Sequence, residues 1–122
     1  MSGDDFNKLV NGGRMAVGAF AFAAPGRAFA GAGLSDRANP QLPFMTRMFG
    51  VRDLVIGWGA LSASGGERRR WLQAAIAADV ADALAAAAGH RSGYLPTSGA
   101  VMLGLTAVTG AALGIAALTT GD

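Results

Sequence analysis

The sequence predicts an all-α protein, a bundle of four membrane-spanning helices in one domain of 122 residues. Composition is the first observation behind this prediction: hydrophobic residues make up 52% of the chain and charged residues 15%, against about 25% charged residues in an average soluble domain. The second is that the apolar residues fall into four segments separated by turn-forming residues. The third is that the last of these segments runs for 23 residues without a charge.

The four predicted helices cover about residues 9–24, 44–64, 71–88 and 96–118. Pro25 ends the first, Gly65 follows the second, Gly89 is a candidate C-cap for the third, and Pro96 occupies the first turn of the fourth. The fourth would be roughly 34 Å long at 1.5 Å per residue, enough to cross a bilayer core of about 30 Å. Residues 25–43 are predicted to be a long connecting loop, whose first half either extends the first helix or lies at the membrane interface.

A soluble, Ala-rich helical protein is the alternative, because the first segment is short and Ala contributes little to membrane insertion. A soluble bundle needs charged stripes along its helices, and the fourth segment has none, so a location in the cytoplasmic membrane is favoured. The arginine run 68–70 lies beside helix ends and places both termini on the cytoplasmic side by the positive-inside rule. Arg27, Arg37 and Arg91 fall on the opposite side and argue the other way.

Composition also excludes several kinds of site. The chain has no Cys, so it has neither disulfides nor thiolate ligands or nucleophiles, and its single histidine, His90, excludes a multi-histidine metal site within one chain. We therefore expect no metal and no cofactor. The net charge of +2 comes from basic residues at segment ends without interleaved aromatic residues, which predicts the lipid bilayer as partner and no nucleic acid.

Five ionisable residues fall inside the predicted spans: Arg14, Arg52, Asp53, Asp79 and Asp82. Such residues are costly in lipid and usually face the bundle interior, where they find partners. Arg52 and Asp53 lie about 13 residues before the turn at residues 65–66 and Asp79 about 13 after it, so antiparallel helices would bring them to one level. Arg14 lies 11 residues before Pro25 and Leu54 lies 11 residues after Pro43, so prolines at similar heights would bring Arg14 to the same level. The sequence therefore predicts one charged layer of two Arg and two or three Asp near the bilayer centre.

Side-chain periodicity orients the third predicted helix. Bulky residues recur every four positions and would face lipid or a neighbouring helix: Leu72, Ile76, Val80 and Leu84. Asp79 and Asp82 point roughly the opposite way among alanines, where partner helices can approach closely.

Gly110 and Gly114 form a G-x-x-x-G pair in the fourth predicted helix. This spacing lets helices approach closely in lipid, and it indicates either a dimer contact or ordinary small-residue packing. A homo-oligomer or a larger membrane complex is therefore among the expected partners.

The stretch RMFGVRDLVIGWG, followed by D-x-x-D in the next helix, resembles a family of small, uncharacterised four-helix integral membrane proteins. In that family a second-helix motif R-x-x-G-x-R-D-L-x-x-G precedes a third helix with paired aspartates. The resemblance runs from about Gly13 to Leu84 and includes GGRMAVG in the first helix. It implies a four-span fold and no particular activity, and it marks these motif positions: Arg47, Gly50, Arg52, Asp53, Asp79 and Asp82.

The favoured functional hypothesis is a non-catalytic membrane protein, either an accessory subunit or a protein that binds a lipid or another hydrophobic ligand. Arg14, Arg47 and Arg52 are its candidate ligand-binding residues. The charged layer would then hold the bundle together or bind one polar ligand head.

Two alternatives use the carboxylates. The first is a membrane-embedded acid–base enzyme, either an isomerase, a cyclase or an epoxide-opening enzyme, that acts on an isoprenoid or polyketide. Its catalytic residues would be Asp79, Asp82 and Asp53, because paired carboxylates in low dielectric can have well-separated pKa values. The second is an oligomeric proton- or cation-coupled transporter with the Asp pair as its titrating site. An apolar cavity ending at these carboxylates would favour ligand binding or catalysis over a purely structural network.

Overall fold

The computed structural model describes residues 1–121, and within them four long helices account for most of the chain. They are α1 (Gly3–Ala23), α3 (Leu42–Ser62), α4 (Gly65–Arg91) and α5 (Thr97–Thr119), with the short helix α2 (Pro25–Ala28) between the first two. No β-strand occurs in this part of the chain. The all-α prediction and the number of long helices are therefore confirmed.

Two helices begin earlier than predicted. α1 begins at Gly3, not near residue 9, because Ser2 and Asp5 form a reciprocal capping box: the Ser2 hydroxyl accepts from the Asp5 amide at 3.1 Å, and the Asp5 carboxylate accepts from the Ser2 amide at 2.9 Å. α4 begins at Gly65, not near residue 71. The predicted connection GGERRR is therefore its first turns, where the acidic Glu67 suits the positive end of the helix dipole.

The predicted C-cap at Gly89 is wrong, because α4 continues to Arg91. Gly93, with φ of +85°, supplies the left-handed conformation that follows the helix. Gly89 instead leaves room for the following loop, since a Cβ at that position would lie 3.0 Å from the Tyr94 ring and 3.2 Å from Leu95.

The segment predicted as a long loop, residues 25–43, is partly helical. It contains α2 and a 3₁₀ turn (Ala30–Ala32), and its Phe29 packs against Phe49 of α3 with ring centroids 5.5 Å apart. Ala32 is fully buried, with its carbonyl against Gly99 near the start of α5. The segment thus closes one end of the bundle.

The four long helices associate as two close pairs, α1 with α3 and α4 with α5. Glycines allow the first pair to touch backbone to backbone: a Cβ on Gly18 would lie 2.6 Å from the Gly50 carbonyl oxygen, and a Cβ on Gly50 would lie 2.6 Å from that of Gly18. α3 and α4 pack less closely although a tight turn joins them. This arrangement leaves space between the two pairs.

The bulky stripe on α4 divides into an exposed half and a half packed against neighbouring helices, as the two predicted alternatives allow. Val80 and Leu84 are exposed, whereas Leu72 is 2% exposed and packs with Ala60 and Ala117. Ile76 packs against α5. A four-residue period advances about 40° per step on a helix of 3.6 residues per turn, so the two ends of the stripe face directions about 120° apart.

Several polar side chains lie inside the bundle, and many large apolar ones lie on its outside. The buried polar side chains are Asn7, Asn11, Arg14, Thr46, Asp53 and Asp79. Large apolar side chains are exposed along all four long helices, among them Val17, Phe20, Val51, Val55, Leu84, Val101, Leu105 and Ile115. The usual distribution of a soluble protein is thus reversed on these faces.

Two of the helices in residues 1–121 are long and apolar enough to cross a membrane: α4 contains an 18-residue window with a mean hydropathy of 1.3, and α5 contains one with 2.0. This is fewer than the four predicted spans. Any 18-residue window of α3 contains Arg47, Arg52 and Asp53, and α1 is made more polar by Lys8 and Arg14.

Candidate functional site

A ladder of polar side chains runs along the inner face of α1 at spacings of four and three residues. The Asn7 amide donates to the Ala60 carbonyl of α3 at 3.0 Å, and the Asn11 amide donates to the Asn7 side-chain oxygen at 2.8 Å. Arg14 Nε then donates to the Asn11 side-chain oxygen at 3.1 Å. All three side chains are buried, so these hydrogen bonds hold the guanidinium in position for its acidic partner.

Arg14 and Asp79 form a buried ion pair between α1 and α4. Two parallel hydrogen bonds join them, from Nη1 to Oδ1 at 3.1 Å and from Nη2 to Oδ2 at 2.5 Å. Gly110 of α5 makes room for the pair, because a Cβ there would lie 2.6 Å from Asp79 Oδ2. Such a two-bond geometry is the strongest that an arginine and a carboxylate form.

A second pair, Arg52 with Asp82, joins α3 to α4 nearer the surface. Its hydrogen bonds are 3.0 Å and 2.7 Å long, and the two side chains are 37% and 33% exposed. The Arg52 guanidinium also lies 4.9 Å from the ring centre of Phe49, a favourable cation–π distance. Both charges are therefore held in a fixed position.

Asp53 bridges the two pairs through one oxygen. Its Oδ1 accepts from Arg52 Nη2 at 3.2 Å and lies 3.7 Å from Arg14 Nη1, while Oδ2 forms no hydrogen bond within residues 1–121. Two guanidinium groups facing three carboxylates leave the fully ionised cluster with a net charge of −1. Asp53 is thus the acidic residue of the cluster with one oxygen that accepts no hydrogen bond.

The predicted meeting of Arg14, Arg52, Asp53, Asp79 and Asp82 is confirmed by these contacts. The remaining site prediction, Arg47, lies apart from the charge cluster formed by those five residues. It is exposed, donates to the Phe22 carbonyl of α1 at 3.1 Å and lies over the Phe22 ring. Through these contacts Arg47 connects α3 to α1.

A cavity of about 640 Å³ lies beside the charge cluster, in the space between the two helix pairs. Its volume is within the range of about 300–1,000 Å³ typical of small-molecule sites. Four charged residues line it, Arg14, Asp53, Asp79 and Asp82, and its other walls are mostly apolar, including Phe29, Met45, Phe49, Leu103 and Leu113.

Thr46 lines the same cavity and is 1% exposed. Its hydroxyl is a buried side-chain group with no hydrogen-bond partner within the described residues. A buried hydroxyl without a partner costs free energy, and exposed hydroxyls elsewhere in the helices avoid this by donating to their own backbone, as Thr106 does to Met102 at 2.7 Å. Thr46 is therefore a second candidate for contact with a ligand.

Asn7, Asn11 and Thr46 are site residues that the sequence analysis missed. The two asparagines carry a usable signal, since they stand on the same helical face as Arg14. Thr46 carries none, because nothing in the sequence shows that its hydroxyl has no backbone partner.

The G-x-x-x-G pair contacts the same chain. Gly110 accommodates the Asp79 carboxylate, and Gly114 accommodates Ile76. A Cβ on Gly114 would lie 2.8 Å from the Ile76 side chain. These glycines thus pack α5 on α4, as small-residue packing within one bundle would require.

Among residues 1–121, no group of three or more His, Asp or Glu side chains is placed to hold a metal ion. Comparison of the chain with family models, with curated proteins and with solved structures finds no match. The site therefore has to be interpreted from its own geometry.

Proposed function

We propose that this is a small integral membrane protein that binds a lipid-like or other hydrophobic ligand without chemically altering it. The ligand occupies the cavity between the two helix pairs, with its polar end at the charge cluster. The observation that carries this proposal is a cavity with mostly apolar walls that ends at ionised side chains. A purely structural charge network would need no such space beside it.

The exposed faces of the helices support a four-span location in the membrane. Of the polar residues that make α1 and α3 less apolar than a typical span, Asn11, Arg14 and Asp53 are buried inside the bundle. Lys8 and Arg47 are exposed and lie in the first two turns of their helices. The outward faces of α1 and α3 carry Val17, Phe20, Val51 and Val55, so a lipid contact would be apolar on these helices too.

Outward-facing hydroxyls support the same location. Ser62 donates to the Trp58 carbonyl at 2.7 Å, and Thr119 donates to the Ile115 carbonyl at 2.8 Å. Each hydroxyl is thus satisfied by its own helix, as a lipid-facing hydroxyl must be where no water is present. Together with the motif around Arg52 and Asp53, this favours membership of the four-span family that the sequence resembles.

Ligand binding is tested by purifying the protein in a nonionic detergent and identifying co-purified molecules by native mass spectrometry and solvent extraction. Ala107 is buried on the cavity wall of α5, so Ala107→Phe should reduce the amount of bound ligand about tenfold or more by filling the site. Ala112→Phe, on the exposed side of the same helix, is the matched control and should retain it. Equal amounts in both variants, or no ligand in the wild type, would argue against the proposal.

A second candidate function is acid–base isomerisation of a hydrophobic substrate, and one observation favours it: the free Oδ2 of Asp53 at the cavity wall. Asp79 and Asp82 each use both oxygens to bind arginine, which leaves them poorly placed to exchange protons. Asp53 would remove a proton from one carbon of the substrate and return it to another, with no net change in composition. Isomerisation of the co-purified molecule by wild type but not by Asp53→Asn would establish this function in place of passive binding.

A further inference from the structure

We infer that the ligand is a neutral or cationic amphiphile whose polar end donates hydrogen bonds, and that anionic lipids are excluded from the site. This inference rests on the proposed ligand-binding function and names the class of ligand. It follows from the ion pairs that the charge cluster already forms, from its excess of carboxylates over cations, and from the unpartnered hydroxyl of Thr46.

Both cations of the cluster are already paired with carboxylates. Arg14 donates to Asn11 and twice to Asp79, and Arg52 donates to Asp82 and Asp53. The cavity wall holds one cation, Arg14, against three carboxylates. A fatty acid or a phosphate head would therefore meet an excess of negative charge in a site of low dielectric, where repulsion is strong.

Asp53 Oδ2 is the carboxylate oxygen of the cluster that accepts no hydrogen bond within residues 1–121. An ionised carboxylate can only accept hydrogen bonds, so its complement on the ligand is an ammonium or a hydroxyl group. An ammonium would also bring the net charge of the cluster from −1 to zero. This is the complementarity expected where a buried charge is to be paired.

Thr46 is a second buried polar residue among those that line the same wall. It lies seven residues before Asp53 on α3, two helical turns or about 10.5 Å away at 1.5 Å per residue, with Phe49 between them on the cavity wall. Its hydroxyl can both donate and accept. The α3 residues that line the cavity therefore include Thr46, Phe49 and Asp53 and no cation.

The test compares three probes of equal chain length, dodecylamine, 1-dodecanol and dodecanoic acid, bound to the detergent-purified full chain after removal of co-purified molecules. Bound fractions are measured by native mass spectrometry at matched free concentrations. Hydrogen bonds to charged groups contribute enough that the amine should bind about tenfold or more tightly than the acid. The alcohol should fall between them.

Asp53→Asn removes the negative charge with little change of shape, and the amine should then lose its advantage over the alcohol. Glu67→Gln removes a negative charge on the exposed first turn of α4, away from the cavity, and should leave the order of the three probes unchanged. The amide variant also keeps both arginine–carboxylate pairs, so the bundle is expected to fold.

The outcomes separate this inference from the function on which it rests. Dodecanoic acid binding as tightly as dodecylamine would overturn the ligand class while leaving a hydrophobic-ligand protein in place. Binding of none of the three probes by a chain that also yields no co-purified molecule would overturn both. An amine preference that persists in Asp53→Asn would overturn the assignment of Asp53 as the head-group contact.

Discussion

Arg14 lies between two carboxylates and is bound closely to one of them: its Nη2 is 2.5 Å from Asp79 Oδ2, whereas its Nη1 is 3.7 Å from Asp53 Oδ1. The distinction matters because the pair with Asp79 joins α1 to α4, and so connects the two helix pairs across the cavity. Asp53 lies in the same layer, but its longer distance from Arg14 means that it contributes less to joining the helices.

We expect Asp79→Asn to destabilise the bundle strongly. The substitution leaves the buried Arg14 guanidinium without its two-bond partner, and losing one member of a buried pair costs about 3–5 kcal/mol. The free energy of unfolding, measured by denaturant titration in mixed micelles, is the readout. Asp82→Asn, in the partly exposed pair, is the control and should cost about 1 kcal/mol or less, so equal losses in the two variants would contradict this account.

Asp53→Asn is expected to change the free energy of unfolding by less than about 1 kcal/mol, or to raise it. The change relieves the unpaired negative charge of the cluster, and burying an uncompensated charge is costly, while both arginines keep a carboxylate partner. The same titration in mixed micelles measures it. A loss as large as that of Asp79→Asn would show that Asp53 is a structural member of the cluster and would weaken its assignment as a ligand contact.

Height along the bundle could be predicted from the sequence, because every helix rises by the same amount per residue. Counting from the turns at residues 25 and 65–66 was sufficient to bring Arg14, Asp53 and Asp79 to one level. The connection between α3 and α4 lies at residues 63–64 and not at 65–66, a displacement small enough that the charged side chains still meet.

Rotation about the helix axis and the gaps between helices were harder to predict. The stripe beginning at Leu72 has a repeat of four residues, which an α-helix does not keep on one face. Asn7 lies outside the predicted first helix because the capping box of Ser2 and Asp5 starts α1 six residues before its apolar segment. The cavity depends on how far apart the two helix pairs stand, and no local pattern in the sequence specifies that distance.

The glycine contact between α1 and α3 predicts a sharp position dependence for Gly→Ala substitutions. Gly18→Ala and Gly50→Ala each place a Cβ 2.6 Å from a backbone oxygen of the partner helix, which forces the two backbones apart and should cost about 1–3 kcal/mol. Thermal unfolding in detergent measures the loss.

Gly13→Ala is the control on α1, since a Cβ there meets nothing within 4 Å. It should be neutral or stabilising by about 0.5–1 kcal/mol, because Ala favours the helix over Gly. Destabilisation by Gly13→Ala equal to that by Gly18→Ala would show that the close approach is not the cause.

Gly110→Ala is expected to disturb the buried ion pair and to leave the oligomeric state unchanged. Its Cβ would lie 2.6 Å from Asp79 Oδ2 and would displace the carboxylate from Arg14, so the melting temperature in detergent should fall. Gly104→Ala, on the same helix and with nothing within 4 Å of its Cβ, should have little effect. Light scattering of the detergent complex separates the alternatives, because a shift of Gly110→Ala to a smaller oligomer would assign the G-x-x-x-G pair to a contact between copies.

Cysteine labelling distinguishes four spans from two, and the chain offers a background without native Cys. Leu105 of α5 is 62% exposed and Val55 of α3 is 50% exposed, while Ser92 lies in the connection after α4. In right-side-out vesicles, a membrane-impermeant thiol reagent should label Ser92→Cys rapidly, as expected if the termini are cytoplasmic. It should label Leu105→Cys and Val55→Cys slowly, because lipid covers both positions. Fast labelling of Val55→Cys together with slow labelling of Leu105→Cys would place α3 outside the bilayer. The apolar outer face of α3 would then be in contact with water and not with lipid.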